Sequence, residues 1–159
     1  MPQQRVICVG NDLCHDDGVA GAVGRALELH RDALGTVEIV HLAEFGLSSL
    51  DALLNVDHVV VVDALVSGHQ PGTCRIIEDS GYTPSATCSI GHAVTLGSIL
   101  ELVARLSPDG HAPRVTVVGI EAENLEPFGS SLSPAVQTAV PVAVEMVCRE
   151  LGVSLKTTA

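Results

Sequence analysis

Tryptophan is absent, and one tyrosine and two phenylalanines are the only rings of that kind among 159 residues, so a nucleic-acid base finds almost nothing to stack on. Cations are scarce too: 8 Lys and Arg against 19 Asp and Glu give a formal net charge of −11, which repels a phosphate backbone. Nucleic acid is therefore not an expected partner. No apolar run reaches the roughly 18 residues of a membrane span, and the opening MPQQRVICVGNDL lacks the basic segment and apolar core of an export signal. The expectation is a soluble, cytoplasmic protein with no membrane partner. Cys8, Cys14, Cys74, Cys88 and Cys148 are odd in number, far apart and without C-x-x-C spacing, which reads as reduced thiols. Cys14 alone stays a candidate functional thiol, because His15, Asp16 and Asp17 follow it.

Three catalytic signatures are also missing. No G-x-G-x-x-G follows the first apolar run, which argues against a dinucleotide cofactor. No H-E-x-x-H is present, so the helix of common metalloproteases is excluded. Ser48, Ser49, Ser89, Ser130 and Ser131 all lie outside any G-x-S-x-G elbow, leaving a serine nucleophile unsupported.

What remains is an aliphatic chain, 47% hydrophobic, whose Val, Leu, Ile and Ala must fill the core in place of rings. No linker divides it, and residues 1–159 read as one domain. Strand signals fall at residues 5–9, 37–42, 58–63, 73–77 and 114–120; the four valines of 58–63 imply burial on both faces. Helical periodicity falls between them, at 17–31, 47–54, 92–106 and from Ser133-Pro134 to Leu151-Gly152. Asp16 or Asp17 is the expected cap of the first helix and Ser133 that of the last. Alternating strands and helices indicate an α/β fold, a three-layer α/β/α sandwich around a mainly parallel, twisted sheet.

In such sheets ligands bind beyond the carboxyl ends of the strands. Three segments there carry unusual polar groups: residues 10–17 after the first strand, Asp63 at the end of the valine strand, and His92 at the start of a helix. Each has a structural explanation as cap, strand terminator or helix-end residue; their shared location is what singles them out. Two carboxylates and an imidazole suit zinc, nickel or manganese with coordination positions left open.

The run Val9-Gly-Asn-Asp-Leu-Cys-His-Asp-Asp-Gly-Val19 resembles the N-terminal signature of the nickel-iron hydrogenase maturation proteases. Further blocks match in order: Val61-Val-Asp-Ala64 with Pro71-Gly72, Gly91-His-Ala-Val-Thr-Leu96, and Val118-Gly-Ile-Glu-Ala122 with Leu132-Ser-Pro134 and Ala139-Val-Pro141. The resemblance implies an endopeptidase that removes the C-terminal extension of a nickel-loaded hydrogenase large-subunit precursor. It carries the metal-contacting positions to Asp17, Asp63 and His92; beside them Asp16 is the best spare carboxylate for proton transfer, its alternative role being a structural cap. It implies nickel that arrives mainly with the substrate, with another divalent ion able to take its place in the purified protein. Where many relatives carry a Gly-Gly-Thr-like stretch this chain reads His41-Leu-Ala-Glu-Phe-Gly46, which points to a different substrate choice. Two rival readings are a non-proteolytic factor that checks nickel loading and a metal-dependent hydrolase of small amides or peptides.

Overall fold

A computed structural model describes residues 3–78 and 95–155. His92, and with it the start of the expected helix 92–106 and the thiol of Cys88, lies outside the described residues. Five strands, β1 (Gln4–Val9), β2 (Glu38–Leu42), β3 (His58–Leu65), β4 (Cys74–Glu78) and β5 (Arg114–Glu121), form one sheet in the order β2-β1-β3-β5-β4. β1, β2, β3 and β5 run parallel, while β4 is antiparallel on the edge beside β5. The expected α/β architecture with a mainly parallel sheet is what the chain forms. All eight residues of β3 are buried, as its valine run demanded.

The pleat divides each central strand between two layers. Val6 and Cys8 of β1, Val60, Val62 and Ala64 of β3, and Val118 and Ile120 of β5 face α1 (Val19–Glu28) and α5 (Pro134–Leu151). Ile7 and Val9, Val59 and Val61, and Val115 and Val117 face the other layer, built from α3 (Leu50–Leu53) and α4 (Leu96–Leu106). A short α2 (Arg31–Leu34) continues from α1 toward β2. Among the described residues no helix is long and apolar enough to cross a membrane. Cys8, Cys14, Cys74 and Cys148 are free thiols.

The expected cap of the first helix is corrected, and that of the last is met in position only. Gly18 occupies the N-cap of α1, and neither Asp16 nor Asp17 caps it, because a 3-10 turn, His15–Gly18, lifts both carboxylates off the helix start. Ser133 does occupy the N-cap of α5 ahead of Pro134, but its hydroxyl makes no cap bond and is donated to Asp16. Among the described residues a side-chain cap is made by Thr95, whose hydroxyl oxygen accepts from the Ser98 N–H at 3.2 Å. At the far end of α5, Gly152 takes the left-handed conformation (φ 69°), with Val153 N–H bonding back to the Cys148 carbonyl at 2.8 Å.

At the opposite end of the sheet from the loops of interest, His58 is buried between the Thr116 hydroxyl (3.3 Å) and the Arg114 guanidinium (3.2 Å). Burial first, and the Arg114 charge second, push its imidazole below the ordinary histidine range. The folded state thus favours neutral His58, and the unfolded chain binds more protons as pH falls through about 6.5. Stability should fall from pH 7.5 to 5.5, and H58Q should flatten that dependence; urea midpoints at both pH values check it.

Candidate active site at the carboxyl end of the sheet

Chain direction sets the location. From β1 the chain crosses to β2 on one side of it, and from β2 to β3 on the other, so the connections part at the carboxyl ends of β1 and β3. That is the switch point at which doubly wound sheets bind ligands. Val9, the last residue of β1, pairs in register with Asp63. The Asp63 position also pairs with Gly119 of β5, and the residue is 2% exposed.

Asp17 comes to the same place by a tight return of the chain. Gly10 has φ +150°, and a Cβ there would lie 2.0 Å from the Asp17 carbonyl oxygen, so only glycine lets residues 10 and 17 meet. The Asn11 N–H then donates to Asp17 Oδ2 at 2.8 Å. Burial raises the Asp17 carboxyl above its usual range against that one bond, which lowers it. Asp17, in the turn after β1, and Asp63, near the carboxyl end of β3, therefore both belong to the switch-point end of the sheet. Among the described residues no group of three His, Cys, Asp or Glu side chains is assembled to hold a metal.

Asp16 is built differently from its neighbour. It is completely buried, and its oxygens accept four bonds: from Glu123 N–H (2.9 Å), Asn124 N–H (2.8 Å), Ser133 N–H (2.7 Å) and the Ser133 hydroxyl (2.8 Å). Burial favours the protonated form, but the donors from Ser133, Asn124 and Glu123 together hold the carboxyl below its usual range. A carboxylate so occupied is a poor proton carrier and an effective clamp, joining residues 10–18 to the loop after β5.

Glu121, which the sequence reading passed over, does the same for the loop after β3. It is buried, and it accepts from the Ser67 N–H and hydroxyl (both 2.7 Å) and the Gly68 N–H (2.9 Å). Burial works against ionisation; those donors and the His69 N–H win, keeping it below the ordinary glutamate range. Its only sequence signal is an acid at the end of a buried strand. Cys14 is buried, and His15 (φ 48°) bonds through Nδ1 to the Ser131 carbonyl at 3.1 Å.

A mostly parallel sheet with two buried carboxylates at its switch point places the chain in the doubly wound α/β class. Residues 22–150 match the hydrogenase maturation protease family. The hydrogenase 2 maturation protease of Escherichia coli K12 is 33% identical over 154 residues, 93% of this chain and 92% of that protein. The hydrogenase expression/formation protein HupD of Thiocapsa roseopersicina is 28% identical, over 95% of this chain and 68% of its own. The solved structure of the hydrogenase maturating endopeptidase HybD from E. coli superposes with a TM-score of 0.75 at 29% identity, covering 96% of this chain and 95% of that one. The chain belongs to the hydrogenase maturation protease family, a family of endopeptidases.

Asp16→Asn removes the charge and turns an amide N–H₂ toward N–H donors, so the variant should lose about 3 kcal/mol of stability. Urea unfolding checks the magnitude, and faster hydrogen exchange at the Glu123 and Asn124 amides checks that the clamp is what opened.

Proposed function

We propose that this chain removes the C-terminal extension of a nickel-iron hydrogenase large-subunit precursor after nickel insertion, with Asp17, Asp63 and His92 meeting the substrate's nickel. The observation that carries the reading is the pair of buried carboxylates at the switch point of a chain belonging to this protease family. Asp17 is desolvated and its ionised form is disfavoured, so a cation arriving beside it restores what burial removed. Two carboxylates and one imidazole form a partial coordination sphere, which the precursor's cysteine thiolates complete around a borderline ion. Nickel enters here as part of the substrate and polarises the scissile carbonyl or an attacking water.

Asp16 supports this arrangement from behind. Its filled acceptor sites make it the residue that fixes Asp17's loop, and we assign it that positioning role in place of proton transfer. The four described thiols, none in a disulfide, fit a reducing compartment, and we place the reaction in the cytoplasm.

The decisive experiment mixes metal-stripped enzyme with its cognate precursor, nickel-free or nickel-loaded, and follows loss of the extension by mass. Cleavage of the loaded form alone supports the reading. Equal cleavage of both removes nickel from the mechanism, and binding without cleavage favours a loading-checkpoint factor. Hydrolysis of small amides by enzyme that retains its own metal points to an unrelated hydrolase. D17N, D63N and H92A should each lower kcat/KM by about 100-fold or more, the loss of a metal-directed charge or ligand. Circular dichroism should show each variant folded, and full activity in a folded variant removes that residue from the site.

A further inference from the structure

Phe128 is one of only two phenylalanines, yet it is 97% exposed, and its backbone sits in the left-handed region at φ 67°. A bulky residue in that conformation is strained, and a ring held out in water returns nothing to the fold of the free protein. Beside it is Leu13, 64% exposed. The two are held together by backbone: Gly129 N–H donates to the Leu13 carbonyl at 3.0 Å, and His15 N–H donates to the Gly129 carbonyl at 2.7 Å. Cys14 and Gly129 form a parallel bridge. Gly129 sits so close to His15 that a Cβ would lie 1.9 Å from the imidazole. The Asp16 clamp anchors the same two segments.

Leu13 lies on the loop that ends at Asp17, so this apolar pair stands on the rim of the candidate active site. The two segments that carry it are acidic: Glu123 and Glu126 are exposed, residues 10–18 and 121–133 contain no Lys or Arg, and the neighbouring Arg25 is paired with Asp12 at 2.9 Å. With a net charge of −11 on the whole chain, this rim favours a partner that offers apolar side chains flanked by cations.

We propose that Leu13 and Phe128 form a docking rim for the hydrogenase large-subunit precursor, engaging an apolar segment flanked by Lys or Arg near the scissile peptide. The proposal rests on the protease reading above and deepens it: the strain at residue 128 is retained because the ring is buried only in the enzyme–substrate complex.

The test measures binding of nickel-loaded precursor to the wild-type protein, F128G, L13S and V142S, the last altering an exposed valine on α5 away from the rim. The same proteins are compared for cleavage and thermal unfolding. F128G should weaken binding and raise KM by about 10-fold, as loss of an interface anchor does, with kcat nearly unchanged. Its unfolding temperature should hold or rise, because glycine adopts the left-handed backbone freely. L13S should also weaken binding, V142S should not, and wild-type affinity should fall as salt rises. Wild-type binding and KM in F128G and L13S overturn the rim, as does a Phe128-dependent dimer in sedimentation, which assigns the surface to a second copy. The binding constants decide the rim even where no variant cleaves, and absent cleavage by the wild-type protein falls on the protease reading alone.

Discussion

The buried carboxylate of Asp16 is the interaction on which the carboxyl end of the sheet depends. Residues 10–18 and 121–133 are loops with little secondary structure of their own, and each exposes N–H groups that a buried position cannot leave unpaired. One ionised side chain takes three of those N–H groups and a hydroxyl. Without it, the loop bearing Asp17 and the loop bearing Phe128 have no common anchor of comparable strength, since charge-assisted bonds are roughly twice as strong as neutral ones. Glu121 repeats the device one strand away, so the loops after β1, β3 and β5 are all tied by acids that stay ionised.

Asp16 and Asp17 show how environment separates two adjacent identical residues. Both are buried, and in both desolvation favours the neutral acid. Four donors reverse that preference at Asp16; a single N–H at Asp17 does not. The first carboxylate is consumed by structure, while the second keeps acceptor capacity and an electrostatic deficit that a cation can fill. On the proposed reading, that division leaves support to Asp16 and the meeting with the metal to Asp17.

Most of the fold was legible because its signals are local. The valine run of β3, the apolar run of β1 and the periodicity of α1 and α5 each report burial within one element, and Gly10, Gly152 and Pro134 mark breaks through their own backbone preferences. The cap of α1 was misread, and the bonding of Ser133 at the N-cap of α5 was not legible, because an acid or serine at a helix start gives the same local pattern whether it bonds its own helix or a distant loop. Asp16's partners are 107 to 117 residues away, a separation invisible to spacing rules. Asp17 and Asp63 were singled out as residues beyond strand ends, but β3 runs on through Leu65, so Asp63 lies within the strand, and its place beside the end of β1 depends on sheet order. Glu121 escaped notice because its work lies wholly in tertiary contacts, and the site's third expected ligand, His92, lies outside the described residues.

Two buried acids at one switch point also bear on timing. Burial has stripped hydration from both side chains, and at Asp17 it raises the cost of ionisation. A resident cation would relieve that cost permanently and leave the crevice in one state. If the cation arrives with the substrate, relief comes only on docking, and its free energy adds to the affinity for loaded precursor over unloaded precursor. An acidic, partly apolar rim alone binds both forms of the precursor alike and cannot discriminate between them. Discrimination then comes from the desolvated carboxylates, and the rim supplies affinity common to both forms. On the proposed reading, the enzyme's selectivity for mature metal content is thus a consequence of burying Asp17, beside which an incoming ion restores what burial removed.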